Sequence, residues 1–102
     1  MSAPKGRQAA SDRVELGSLD EALLRHVQRV CGNDWLLRSD VQSTKELCKR
    51  LSCSPNALRA SMERLAQLRL LRVIVPCHDD TDRMCCIALT PAGHSRLADE
   101  IA

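Results

Sequence analysis

The stretch Lys45–Leu71, KELCKRLSCSPNALRASMERLAQLRLL, decides how this chain reads. It holds two helical segments separated by Ser52-Cys53-Ser54. Ser43 followed by Glu46 is a capping box for the first segment, which ends near Leu51. Leu47 and Leu51, spaced i, i+4, give it one apolar edge. Ser54 before Pro55 places a side-chain acceptor at an N-cap and a proline at the first helical position. The second segment runs from Pro55 to about Leu68 or Leu70. Two short helices joined by so tight a turn form a helix-turn-helix. Residues 43–72 hold seven Lys/Arg and two Asp/Glu, a net charge of +5. Residues 1–42 are neutral and residues 73–102 carry −3. A local basic patch of this kind attracts phosphate more than the whole-chain charge of +2 indicates.

Downstream, Arg72–Cys77 is β-branched and Met84–Leu89 is apolar, with a polar loop between them. This predicts a β-hairpin. Thr90-Pro91 repeats the cap-plus-proline start, opening a last helix to about Ile101 with Leu97 and Ile101 on one face. Upstream, Ser18 and Glu21 form a further capping box for a helix over Leu19–Cys31. Leu23, Leu24, Val27 and Val30 recur there at helical spacing, and Gly32 sits where helices stop. NDWLLRSDVQ, residues 33–42, reads as a loop or short strand with Trp35, Leu36 and Leu37 as apolar anchors. Residues 1–17 lack apolar periodicity and read as a flexible arm, basic at Lys5, Arg7 and Arg13. Residues 18–102 then form one α+β, mostly α domain: a winged helix-turn-helix with a three-helix core, a hairpin wing and a C-terminal helix.

Composition narrows the functions. Trp35 is the only aromatic residue, which disfavours binding of single strands by base stacking. No apolar run approaches the ~20 residues of a membrane span, and the N-terminus has no secretory-type segment. The expectation is a cytoplasmic protein with reduced thiols. The six cysteines include no Cys-x₂-Cys pair, although Cys77, His78, Cys85 and Cys86 could meet across the hairpin. Neither a metal nor another cofactor is expected. Cys48 and Cys53, beside the turn, are the candidate oxidant-sensing thiols; core packing of most of the six is the plainer reading. His26, His78 and His94 stand in no catalytic pattern and there is no Gly-rich phosphate loop, so an enzyme is not expected.

On a helical wheel of residues 55–68, Leu58, Met62 and Leu65 define the buried stripe. Asn56, Arg59, Ala60, Glu63, Arg64 and Gln67 lie opposite. Arg can read guanine bidentately and Asn or Gln adenine. Ala60 lets the helix sit close to the groove floor. Lys45, Lys49 and Arg50 are placed to hold backbone phosphates, and Ser54 marks a helix N-terminus suited to another.

ELCKRLSCSPNALRASMERLAQLRLLRV, residues 46–73, resembles the helix-turn-helix of winged-helix bacterial transcription regulators of the MarR, PadR and ArsR kind. IALTPAGHSRLADEI, residues 87–101, is similar to the segment after the wing in MarR- and PadR-like proteins. The resemblance implies a DNA-binding transcriptional regulator. It places Ser54, Pro55, Asn56, Arg59, Ala60 and Arg64 in the recognition helix, facing the major groove of double-stranded DNA. Arg69 stands where the family usually has a glycine before the hairpin. The wing, often basic in the family, here reads His-Asp-Asp-Thr-Asp-Arg, leaving Arg83 as its cation. Most such regulators are homodimers, which implicates Leu23, Leu24, Val27, Leu97 and Ile101 at an interface. The other reading of these five is that they close the monomer's own core. The acidic wing raises an alternative function, a winged-helix protein-interaction module that docks a partner through the wing or the 55–68 helix.

Overall fold

The computed structural model describes residues 15–34 and 36–101, with side chains as far as Asp99. The basic residues of the arm, Trp35, and the side chain of Ile101 lie outside this description. Helix α1 spans Ser18–Cys31 and leads through a 3₁₀ turn, Gly32–Asp34, to strand β1, Asp40–Ser43. Helices α2, Thr44–Leu51, and α3, Pro55–Gln67, follow. Strands β2, Leu71–Val75, and β3, Met84–Leu89, form a hairpin, and α4, Pro91–Ile101, closes the order. The described residues are thus α+β and mostly helical, with four helices and a three-stranded antiparallel sheet ordered β1-β3-β2. Among the described residues no helix is long and apolar enough to cross a membrane.

Local hydrogen bonds set most of the boundaries. Ser43 Oγ accepts from the Glu46 amide at 3.1 Å, and Ser54 Oγ accepts from the Ala57 amide at 3.1 Å. Each satisfies a donor that the first helical turn leaves open. Thr90 Oγ1 accepts from the Gly93 amide at 2.9 Å and starts α4 in the same way. Helix α1 departs from expectation: its cap is Gly17, whose amide donates to Asp20 Oδ2 at 3.1 Å. Ser18 is already helical, so the Ser18–Glu21 capping box does not form.

The segment 33–42 resolves into the 3₁₀ turn and a real strand, with β1 pairing β3 as Asp40 opposite Ile87 through Ser43 opposite Met84. Two of its three expected apolar anchors do not hold: Leu36 is exposed and Leu37 is 88% exposed. Val30 also turns outward, away from the stripe expected of it. The core joins Leu23, Leu24 and Val27 of α1 to Leu47, Leu58, Met62 and Leu65 of α2 and α3, and to Leu71, Ile87, Leu89 and Leu97. The structure therefore buries Leu23, Leu24, Val27 and Leu97 within the chain itself. Their expected place at a dimer interface gives way to closing the monomer core.

Helix α3 ends through a left-handed residue, Arg69, at φ 61°. The Leu70 amide returns to the Leu65 carbonyl at 3.0 Å, and the Arg69 amide to Ala66 at 3.0 Å. This is the helix ending that glycine usually makes. Arginine adopts it here at a cost of about 1–2 kcal/mol. Arg69→Gly is expected to stabilise the fold by ~0.5–1 kcal/mol, part of the gain being lost to the entropy of the unfolded glycine. Urea denaturation checks this; an unchanged or lower midpoint would mean that the Arg69 side chain contributes more than the strain costs.

Candidate nucleic-acid interface

The turn between α2 and α3 is built by one residue out of helical range. Ser52 takes φ 54° and ψ 50°, and the Cys53 amide bonds back to the Cys48 carbonyl at 3.0 Å. The chain reverses within Ser52-Cys53-Ser54 and re-enters a helix at Pro55. Leu58, Ser61, Met62 and Leu65 face inward from α3. Ser54, Pro55, Asn56, Ala57, Ala60, Glu63 and Gln67 are exposed on it, as are Lys45 and Lys49 on α2. The structure thus brings an uncovered polar face of α3 beside cations of α2.

The two arginines of that face are not equivalent. Arg59, partly covered, reaches the hairpin loop, where its Nη2 donates to Asp79 Oδ1 at 3.0 Å. Asp79 is almost wholly exposed, so this ion pair is weak and exchangeable. Arg64 turns toward α1 and donates through Nη1 to Asp20 Oδ2 at 2.7 Å. Asp20 is 1% exposed, and Ser61 Oγ donates to its other oxygen at 2.5 Å. Burial is the largest single influence on Asp20 and acts to raise its pKa. The hydrogen bonds from Ser61, Gly17 and Arg64 outweigh it, so the carboxyl ends below its ordinary range. Arg64 is therefore first a clamp between α3 and α1, with about half of its side chain still exposed.

The loop joining β2 to β3 is pinned to the start of α2. The Thr44 amide donates to the Arg83 carbonyl at 3.2 Å and the Lys45 amide to the Thr81 carbonyl at 2.9 Å. Asp79, Asp80, Asp82 and Arg83 remain exposed on the loop. Their backbone is ordered by Asx-type bonds, such as the Asp82 amide to Asp80 Oδ1 at 3.1 Å. The charge partner of Arg59 is thus part of the acidic loop, a link that the sequence order conceals.

Arg50 faces elsewhere. With Arg25, Arg29 and His26 it lines a cleft of about 440 Å³ on the α1 side. His26 is buried there and its Nε2 lies 3.0 Å from Asp40 Oδ2. Gln42 Nε2 lies 3.0 Å from the same ring nitrogen and donates to Asp40 Oδ2 at 2.7 Å. This cluster ties α1 to β1, giving His26 a structural role. Across the outer face of the sheet, Val41, Cys86 and Val75 stand in register on the three strands. Val41 is 55% and Val75 45% exposed, and Met84 and Ile74 beside them are similarly open.

The thiols sort by environment. Burial pushes Cys48 up to about 11 and also raises Cys53. Neither thiol shows the lowered pKa that oxidant sensing by this pair would call for, which suits the plainer reading of core packing. Among the described residues no three His, Cys, Asp or Glu side chains are arranged to hold one metal ion. In comparison with known proteins, the chain matches no family model and no curated relative.

Proposed function

We propose that this chain is a sequence-specific double-stranded DNA-binding transcriptional regulator built as a winged helix-turn-helix. Helix α3 enters the major groove and the β2–β3 hairpin serves as the wing. The observation that carries the reading is the uncovered face of α3, with Asn56, Ala60 and Gln67 outward, beside Lys45 and Lys49 in a segment of net charge +5. Asn56 and Arg59 contact bases, while Lys45, Lys49 and the Ser54-capped helix start hold phosphates. Arg64 adds a phosphate contact from the half of its side chain that Asp20 leaves open. Arg83 is the wing's cation. A homodimer would set two α3 helices about one turn, ~34 Å, apart on a near-palindromic site.

Binding to random duplex DNA across a salt series, followed by selection of preferred sequences, tests this. The expected result is a log–log salt slope of about −0.9 per phosphate neutralised, with an enriched motif. Absence of binding at low salt overturns the reading. On the selected site, Arg59→Ala is expected to cost about 1–3 kcal/mol.

Asp79→Asn is expected to act in the opposite direction. The exposed Arg59–Asp79 pair is worth at most ~1 kcal/mol. Releasing Arg59 from it should tighten DNA binding about two- to fivefold, since every 1.4 kcal/mol is tenfold. Fluorescence anisotropy at fixed salt reads this; equal or weaker binding by the variant would show that Asp79 does not compete with DNA for Arg59.

A second reading, a protein-interaction module, is favoured by one specific observation. The Val41–Cys86–Val75 row with Met84 leaves apolar side chains open on the outer face of the sheet, and such patches mark docking surfaces. Val41→Lys separates the two readings: it would abolish partner capture while leaving a DNA affinity carried by α3 unchanged.

A further inference from the structure

Helix α1 presents two exposed arginines, Arg25 and Arg29, four residues apart. Side chains so spaced lie about 5–6 Å apart on one helix face. Both arginines line two clefts. Toward α2 is the cleft of about 440 Å³, which Arg50 and Leu51 also line. Toward α4 is a second, of about 560 Å³, edged by Gln28, Gly32, Asn33 and His94. Clefts of roughly 300–1,000 Å³ suit small molecules.

The charge of these clefts is one-sided. Among the described residues neither is lined by a carboxylate. Asp40, next to His26, is buried and already engaged with that ring and with the Gln42 amide. Among the described residues neither Arg29 nor Arg50 is paired with a carboxylate. Both stand in the last turn of their helices, where a cation offsets the open carbonyls. That accounts for one cation at each helix end. It does not account for their convergence with Arg25 on one cleft, where like charges repel. An anion held between them turns that repulsion into attraction. The arginine fork matches phosphate oxygens through paired N–H donors. Beside the arginines, the amides of Gln28 and Asn33 and the His94 ring offer further hydrogen-bonding groups.

We propose that the α1 clefts bind the diphosphate group of a small ligand, with Arg25, Arg29 and Arg50 on its phosphates. One phosphate monoester carries about −1.5 to −2 at neutral pH, too little for three guanidinium groups drawn from two helices. A diphosphate brings more charge and a second set of oxygens, and its two phosphates can each meet one arginine of the Arg25–Arg29 pair. Gln28, Asn33 and His94 then lie beside whatever the diphosphate is esterified to. The contacts proposed for DNA, through Lys45, Lys49, Asn56 and Arg59, take no part in this site. It therefore goes beyond the DNA reading and stands if that reading fails.

The test is isothermal titration calorimetry of the full chain with pyrophosphate and with adenosine diphosphate, free of magnesium and at fixed ionic strength. The expected result is saturable binding of pyrophosphate, one per chain, with orthophosphate weaker by about tenfold or more. Adenosine diphosphate bound as tightly identifies an esterified ligand; its exclusion identifies inorganic diphosphate. Arg29→Gln combined with Arg50→Gln should weaken pyrophosphate binding about tenfold or more, since each change removes charge-assisted hydrogen bonds. Both side chains are exposed, so the variant keeps its fold. Lys45→Gln combined with Lys49→Gln should leave the affinity within about twofold, as exposed charges beyond a Debye length are screened. The absence of saturable heat, or equal affinity for orthophosphate, would overturn the proposal. Binding lost with the lysine pair and kept with the arginine pair would overturn it too, by placing the anion on the helix-turn-helix. So would an arginine-pair variant that loses as much affinity for duplex DNA as the lysine-pair variant, since the clefts would then hold DNA backbone.

Discussion

Gly93→Ala is expected to lose about 3 kcal/mol or more of stability. A loss of that size lowers the melting temperature by at least ~12 °C in a domain this small. Gly93 lies in the first turn of α4, where the helix start is locked onto the corner between α3 and β2. Thr90 Oγ1 donates to the Arg69 carbonyl at 2.6 Å and accepts from the Gly93 amide at 2.9 Å. The Thr90 amide reaches the Leu70 carbonyl at 3.4 Å. A methyl group at Gly93 would overlap the Leu70 carbonyl oxygen and meet Leu89 Cδ1 at 3.0 Å. The obstacle is backbone, which no rotamer change relieves. Relief requires moving α4 off the corner, and that uncovers Leu97. Thermal unfolding followed by circular dichroism reads the effect. Ala92→Gly, at an exposed neighbour, is the control and should cost no more than about 1 kcal/mol. A Gly93→Ala protein melting within a few degrees of wild type would show that the corner is more pliable than its hydrogen bonds imply.

Asp20→Ala is expected to cost about 2–4 kcal/mol, near the range for breaking a buried ion pair. It sits toward the lower end because Arg64, half exposed, can turn to water. Ser61, 2% exposed, has no such escape and loses its acceptor. The same site sets a pH dependence. A carboxyl whose folded-state pKa is depressed stabilises the fold fully above its unfolded pKa of about 3.9. That contribution fades as pH falls through the lower folded value. The stability gap between wild type and Asp20→Ala should therefore be flat from about pH 5 to 7 and shrink below about pH 4. Urea titrations of both proteins across this range measure it. A gap that instead grows on acidification would mean that burial, not the Ser61, Gly17 and Arg64 donors, governs Asp20.

This clamp also bears on the proposed interface. Residues of one helical face need not share a role: Arg59 and Arg64 look alike on a wheel, yet one pairs with an exposed loop carboxylate and the other with a buried one. Variants of Arg64 should therefore lose stability together with DNA affinity, whereas Arg59→Ala should lose affinity alone.

What the sequence determined by itself is what short-range physics controls. Ser43, Ser54-Pro55 and Thr90-Pro91 start their helices through bonds that span three residues, and α2, α3 and α4 begin where those residues stand. The β-branched and apolar runs around the polar loop became β2 and β3. The stripe of Leu58, Met62 and Leu65 faces the core. Only the tertiary structure decided the rest. The four-residue β1 acquires its identity from β3, far along the chain, so its own residues read equally as loop. Periodicity marks Leu23, Leu24, Val27 and Leu97 as apolar but not what covers them, and here the chain covers them itself. Asp20 with Ser61 and Arg64, and Arg59 with Asp79, are joined by no spacing rule. Each pairing exists because the packed helices and the sheet bring distant polar groups together, and for the buried Asp20 and Ser61 burial also requires that each find a partner.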